Sequence, residues 1–178
     1  MPTSLRTETR NLVRLAERDL ARMWHLIADG ASAEVALRDL LPAIVTEYGT
    51  AGAALAAEWY DQQREKAGAR GRFAALPIAA DDRGSQALVG WALATATDDH
   101  SLKTLVAGGV QRRISDHLRY TVARNSIEDR AAKGWMRVGD GSSCEFCSML
   151  LGRGAVYTEA TADFASHDHC GCTAAPAF

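Results

Sequence analysis

The chain has 178 residues, of which 47% are hydrophobic and 24% are charged, and its formal net charge is −2. These values are typical of a globular protein, and the overall charge does not indicate a nucleic-acid binder. No apolar run approaches the roughly eighteen residues that a transmembrane helix requires, so we expect no membrane partner. The length fits one domain, or one domain with a small appendage.

Two long amphipathic helices are predicted near the start of the chain. Apolar residues recur at steps of three and four over 5–29 and again over 43–67. Between them, Ser32 is expected to cap a short helix, and Pro42 is expected to open the next one because proline suits a first helical turn. Small residues crowd one face of the second long helix, which predicts close packing against a neighbouring helix.

The helical pattern breaks over 68–84, where Gly, Arg, Pro and Asp are mixed. A connection of this length is predicted to be a linker. An apolar knot around Phe73, Leu76 and Ile78 is expected to pin its middle. Ser85 then opens another helix that ends near residue 97.

A further helical segment is predicted to start at Asp98 or Asp99 and to be interrupted by Gly108 and Gly109. A longer helix over 110–133 then carries the most basic face in the chain. The basic residues of this face are Arg112, Arg113, Arg119, Arg124, Arg130 and Lys133. The simplest interpretation is a solvated face. The alternative is that Arg112, Arg113, Arg119 and Arg124 contact DNA phosphates or an acidic partner.

The densest chemistry lies at the carboxyl end, where all four cysteines are found. A Cys-x-x-Cys pair is followed about twenty residues later by a second group of sulfur and nitrogen donors, a pattern typical of tetrahedral zinc sites. The candidate donors are Cys144, Cys147, His167, His169, Cys170 and Cys172. Large apolar residues are scarce over 139–178, so the segment cannot bury enough surface to offset its ordering entropy. Structural zinc contributes roughly 10–16 kcal/mol in small modules, which predicts that one ion decides whether this segment folds.

Tetrahedral zinc binds four ligands, so two of these six donors are not expected to bind it. If residues 167–169 form a turn, His167 and Cys170 converge as a chelating pair; in an extended segment, residues two apart share a face instead. The expected ligands are Cys144, Cys147, His167 and Cys170, with Cys172 as the substitute.

Three other uses of the cysteines are less consistent with the sequence. Disulfides are disfavoured because residues 1–11 are polar and do not form a secretory signal, which implies synthesis in a reducing cytoplasm. A redox Cys-x-x-Cys would require a βαβ pattern before Cys144. A nucleophilic cysteine could use His167 or His169 as its base, but paired cysteines fit ligation better. No catalytic residue and no enzymatic activity are therefore predicted.

Two short strands, over 135–138 and 154–157, are predicted to form a hairpin around the Cys-x-x-Cys pair, with a turn at residues 140–141. The predicted fold is mainly α. It has a helical body of long amphipathic helices over 1–134 and a small zinc-stabilised β-hairpin module over 135–178.

The carboxyl-terminal part resembles phage Mu F-like minor head proteins, as found in actinobacterial tailed phages. The likeness is carried by Gly134-Trp135-Met136-Arg137, the run from Cys144 to Leu150, residues 153–157 and the His167-to-Cys172 segment. Less specific similarities extend the resemblance along most of the chain; they lie at 47–49, at 57–61 and in the helix over 111–130.

The resemblance implies a head-morphogenesis protein of low copy number that binds the portal or the major capsid protein inside the capsid. It also implies that Cys144, Cys147, His167, Cys170 and Cys172 are metal ligands. Some relatives carry a protease or toxin domain, and neither activity is carried over to this chain. Gly171 stands where relatives often place a basic residue.

The leading hypothesis is therefore a structural, zinc-containing head protein, made in the host cytoplasm and located in the virion, with packaged DNA as a further possible contact. The alternative is a small zinc-braced DNA-binding protein that uses the basic helix over 110–133.

Overall fold

The computed structural model describes residues 4–79, 83–139, 144–158, 164 and 166–178. Within these ranges it is mainly helical, with one small antiparallel sheet of two strands, which confirms the predicted fold class. The elements are α1 (Leu5–Ala28), α2 (Ala33–Lys66), α3 (Arg83–Thr95), α4 (Asp99–Glu128), β1 (Gly134–Val138), α5 (Glu145–Leu151) and β2 (Thr173–Ala177). The predicted turn at 140–141 and residues 80–82 of the predicted linker lie outside the described residues.

Helix α2 runs without a break through Pro42, so the predicted helix boundary at this residue is wrong. Leu37, Leu41 and Val45 are all buried and form one continuous stripe across the proline. Proline has no backbone N–H, which leaves the carbonyl of Arg38 without its usual helical donor. The side-chain amide of Gln86 in α3 donates to that carbonyl at 3.5 Å. Packing on both sides of Pro42 therefore keeps the helix whole.

Small residues bring α2 close to α4, as predicted. A Cβ atom placed on Gly49 would lie 2.5 Å from the His117 ring, and one placed on Gly52 would lie 2.4 Å from Leu118. Real Cβ atoms do not approach other atoms this closely, so only glycine permits this helix spacing.

Helix α4 is also continuous, and the predicted interruption at Gly108 and Gly109 is wrong. The helix begins with a reciprocal capping box between Asp98 and Ser101. At Gly109 a Cβ atom would lie 2.4 Å from the side chain of Leu88 in α3. The glycines therefore serve close packing inside the helix and do not end it.

The non-helical segment after α2 is held by polar side chains of α2 near residues 70–75 and of α4 near residues 76–78. Asn125 accepts from the backbone N–H of Leu76 and donates to its carbonyl, each at 2.9 Å. The hydroxyl of Thr121 accepts from the N–H of Ile78 at 3.2 Å and donates to its carbonyl at 3.0 Å. Phe73 packs against the core as predicted, but the Leu76 side chain is 63% exposed, so it is not part of an apolar knot.

Strands β1 and β2 pair with Trp135 opposite Pro176 and Val138 opposite Thr173. The predicted second strand over 154–157 is wrong, since only Tyr157 bridges to Trp135. Pro176 is tolerated in β2 because both strands of a two-stranded sheet are edges. Trp135 is buried and belongs to the main core cluster with residues of the helices, so the sheet packs directly on the helical body.

One helix, α2, is long and apolar enough to cross a membrane by length and composition. This is weak support for a span, because a core helix meets the same criterion. The stripe of α2 that packs on α1 and α4 accounts for much of its apolar content.

Candidate metal centre

Three short elements bring the sulfur and nitrogen donors together. Cys144 is the N-cap of α5, and its Sγ accepts from the backbone N–H of Cys147 in the first turn, at 3.4 Å. A turn then places Cys170 after His167, with the Cys170 N–H donating to the His167 carbonyl at 3.1 Å. Cys172 follows immediately before β2. Residues 167–170 are therefore a turn, as the chelating alternative requires.

The five expected ligands form two groups of three that share Cys147. Cys144, Cys147 and His167 make one group, and Cys147, Cys170 and Cys172 make the other. Within each group all ligand atoms lie within 4.8 Å of one another. Cys147, Cys170 and Cys172 are buried, and Cys144 is exposed at the rim.

The separations suit a tetrahedral ion within each group of three, but the four expected ligands Cys144, Cys147, His167 and Cys170 do not form one group with all atoms within 4.8 Å of one another. With Zn–S bonds of about 2.3 Å and Zn–N bonds of about 2.0–2.1 Å, two sulfur ligands should lie about 3.8 Å apart, and a sulfur and a nitrogen about 3.6 Å apart. The Cys147 and Cys170 sulfurs are 3.8 Å apart. The Nε2 atom of His167 lies 3.2 Å from the Cys144 sulfur and 3.8 Å from the Cys147 sulfur. All four cysteines are free thiols.

His167 is oriented as a metal ligand. Its Nδ1 atom lies 2.7 Å from the carbonyl oxygen of Asp168. Because a carbonyl can only accept, Nδ1 must carry the proton, which leaves the Nε2 lone pair facing the thiols. The hydrogen bond to this carbonyl also raises the pKa of His167.

His169 is not in either group of candidate ligands within the described part of the chain. Its backbone adopts the left-handed conformation, with φ 62°, which reverses the chain between His167 and Cys170. Its ring lies over Gly108 of α4, where a Cβ atom would be only 2.6 Å from Nε2. His169 therefore packs against α4, and Gly108 makes room for it.

The thiols differ in their acidity. The Cys147 N–H and the His167 ring lower the pKa of the Cys144 thiol to about 7, which favours a thiolate at neutral pH. Burial raises the pKa of Cys147 to about 12. Burial acts in the same direction on Cys170, but the Cys172 N–H and the charge of Arg119 outweigh it and lower the Cys170 pKa. A metal ion would supply the positive charge that Cys147 needs in order to ionise.

Arg119 anchors the second group of donors to α4. Its side chain is buried, with 1% exposure, and it donates to the carbonyls of Cys172 at 2.9 Å and Cys170 at 2.7 Å. Its remaining NH1 atom lies 2.7 Å from Asp116. The suggestion that Arg119 contacts a phosphate or a partner is therefore wrong, because its donors are used inside the protein.

A second buried arginine, Arg137, lies next to a sulfur of the centre. Arg137 in β1 has an NH1 atom 3.8 Å from the Cys147 sulfur. Its guanidinium also lies 3.8 Å from the ring centre of Phe164, and that of Arg119 lies 4.9 Å from the same ring. Two buried cations thus flank the cysteines, where they can balance thiolate charge.

The other predicted contact residues on α4 also have partners within the chain. Arg112 lies near Asp116 and Asp168, at 3.8 Å and 3.7 Å, and Arg124 lies 3.5 Å from Glu128. Arg113 donates to the carbonyls of Gly84 and Gly109. The face is therefore less positive than its sequence suggests.

Sequence reasoning missed the roles of Arg119 and Arg137. A signal for Arg119 was its position next to the apolar stripe of Ile114, Leu118 and Val122, beside the small Ser115. Arg137 gave no comparable signal, since a charged residue in a short strand usually faces solvent.

The chain was compared with protein families, with curated proteins and with solved structures. No curated protein and no solved structure matches it. The family model described as VG15 protein matches residues 2–178. Because this match covers nearly the whole chain, the protein belongs to the VG15 family of phage proteins.

Proposed function

We propose that the protein is a structural, non-enzymatic component of a tailed-phage head, with a carboxyl-terminal segment stabilised by one zinc ion. Membership of a phage protein family supports a role in the virus. The observation that carries the proposal is the convergence of sulfur and nitrogen donors in two groups of three that share Cys147. An ion bound by four of these side chains would have no open position for a reactive water, as in structural sites.

Zinc is the metal that suits this donor set best. Thiolate and imidazole ligands in a tetrahedral arrangement favour zinc over the hard cations, which prefer oxygen ligands. The 3.8 Å separation of the Cys147 and Cys170 sulfurs fits this geometry, and buried Arg137 lies 3.8 Å from the Cys147 sulfur, where it would offset the charge of a zinc–thiolate group.

The head role and the portal or capsid partner rest on the resemblance to Mu F-like minor head proteins. Helix α5 offers a surface for such a partner. Its inward residues, Cys147 and Leu150, are buried, whereas Phe146 and Met149 are about half exposed, at 48% and 51%. Exposed apolar pairs of this kind are typical of contact surfaces. We place the protein in the capsid interior after synthesis in the host cytoplasm.

The alternative, a DNA-binding protein that uses the basic face of α4, has less support. Its central candidate, Arg119, is buried, and Arg112 and Arg124 lie beside carboxylates. Such pairing reduces the positive charge that would attract phosphates.

The proposal can be tested by complementing a phage that lacks this gene with variants of the chain. Cys147→Ser should abolish zinc binding, and Phe146→Ser with Met149→Ser should keep zinc but weaken the partner contact. The exposed Arg153→Gln is the control. Zinc per chain is measured by elemental mass spectrometry, and the amount of protein in purified heads by quantitative proteomics.

We expect zinc in the wild type and in the control, and reduced incorporation into heads for both test variants. The function is wrong if the wild-type protein is absent from purified heads. The metal assignment is wrong if the purified protein contains no zinc and Cys147→Ser assembles normally.

A further inference from the structure

A cavity of about 360 Å³ lies between α1, α4 and the segment from Cys170 to Thr173. One wall is the first half of α1, and the back is the buried side of α4 around Ser115 and Arg119. Its volume falls within the range of small-molecule binding pockets, which is roughly 300–1,000 Å³. Cys170 and Cys172, which belong to the candidate metal centre, also line the cavity.

Positive charge is concentrated in this cavity. Arg6, Arg10 and Arg14 line it at intervals of four residues, so they follow one another at steps of about 6 Å along the same face of α1. Glu17 is the one carboxylate among the described residues that line the cavity. The whole chain carries a formal net charge of −2, so the cavity opposes the overall charge of the protein.

The three arginines place like charges next to one another on α1. Like charges four residues apart on a helix repel each other. Arg14 donates to the neutral side chain of Asn11, so that bond does not cancel its charge. A bound anion would therefore lower the repulsion along this face.

We propose that this cavity binds the phosphate groups of a ligand, which is either a small phosphorylated molecule or a segment of single-stranded nucleic acid. The planar guanidinium fork matches phosphate oxygens with two parallel hydrogen bonds. A phosphate group also offers more oxygens and more charge to several guanidinium groups than a single carboxylate does. The amide of Gln111 on the α4 wall adds a neutral polar group beside the arginines. Arg119 is the one arginine that this cavity shares with the basic face of α4 among the described residues that line it, and the proposal does not depend on the proposed head function.

The test uses the zinc-loaded full chain and a pair of matched variants. Arg10→Gln with Arg14→Gln removes two exposed charges from the cavity. Arg18→Gln with Arg22→Gln removes the same charge from the next two turns of α1, outside the cavity. Binding of inorganic phosphate, a nucleoside monophosphate and a short single-stranded oligonucleotide is measured by calorimetry at several salt concentrations.

We expect the cavity variant to weaken binding by about tenfold or more, and the control to change it little, because charge-assisted hydrogen bonds are lost only in the cavity. Binding of the monophosphate with a shallow salt dependence assigns a small ligand. Binding of the oligonucleotide alone, with a steep salt dependence, assigns a nucleic-acid backbone. The proposal is overturned if none of the three binds, or if both variants weaken binding equally. It is also overturned if a polyglutamate peptide binds while the phosphate ligands do not.

Discussion

Two non-helical segments pack against α4 in different ways. The segment around Leu76 and Ile78 is held by the neutral side chains of Asn125 and Thr121. The segment from 166 to 172 is held by the buried cation of Arg119 and by a cluster of thiols and one imidazole. Both segments use the same helix as their support, but the second also brings together three buried cysteines, Cys147, Cys170 and Cys172, with the exposed Cys144 and His167 beside them.

The two kinds of attachment differ in whether they need a bound cation. A neutral side chain that both donates to and accepts from a backbone is fully satisfied by that pairing. Converging thiolates repel one another, and buried thiols resist ionisation unless a cation is present. The first segment should therefore be independent of metal, whereas the second should depend on it.

The largest expected effect is that of metal removal. Chelation at neutral pH should release the segment from 144 to 172, because zinc in small sites contributes roughly 10–16 kcal/mol of apparent folding free energy. Hydrogen exchange followed by mass spectrometry should show loss of protection at Cys147 and Cys170. Protection at Leu76 should be unchanged.

Readdition of zinc should restore the original exchange pattern, and readdition of magnesium should not, since magnesium prefers oxygen ligands. Equal loss of protection in both segments would show that they are not independent. No loss in either would show that packing alone holds the carboxyl-terminal segment.

A smaller effect is expected for Arg119→Met. This change leaves the carbonyls of Cys170 and Cys172 without a buried donor and removes the ion pair with Asp116, which keeps its hydrogen bond from Ser166. Leaving a buried acceptor unsatisfied typically costs about 1–3 kcal/mol, and two carbonyls are affected here. Urea unfolding of the zinc-loaded protein should show this loss as a lower midpoint.

The matched control is Arg124→Met on the same helix. Arg124 is partly exposed and lies 3.5 Å from Glu128. A surface pair of this kind contributes about 0–1 kcal/mol. Similar midpoints for the two variants would contradict the anchoring role of Arg119.

The smallest expected effect is that of Asn125→Ala. It removes both hydrogen bonds to Leu76, which are partly buried, and each such bond typically contributes about 0.5–1.5 kcal/mol. Exchange at the Leu76 amide should become faster, while zinc affinity should stay the same. A loss of zinc affinity in this variant would link the two segments and remove the distinction between them.

Much of the helical body could be predicted from the sequence, because the steps of three and four in α1 and α2 directly reflect the buried face of a helix. The errors fell at Pro42 and at Gly108 and Gly109. These residues often end helices, but here contacts with neighbouring side chains allow both helices to continue. Gln86 donates to the carbonyl that Pro42 leaves free, and Leu88 and His169 occupy the space beside the glycines.

The ligands of the candidate metal centre could be predicted because they are close together along the chain. The contacts that hold the centre in the fold could not, because they join residues far apart in the sequence. The spacing of Cys144 and Cys147, and of His167 and Cys170, brings donors together within single turns. The pairing of β1 with β2 joins residues about forty positions apart, and the anchoring by Arg119 joins residues more than fifty positions apart. Such long-range partners leave no periodic trace in a single sequence.

By itself, therefore, the sequence determined where helices could form and which side chains could ligate a metal, since both depend on neighbours along the chain. Only the tertiary structure decided which strand pairs with β1, that Arg119 points inward, and that three arginines of α1 share a cavity with the carboxyl-terminal segment. The physical reason is that burial and charge compensation depend on neighbours in space, and α4 supplies such neighbours to α1, α2, α3 and both strands.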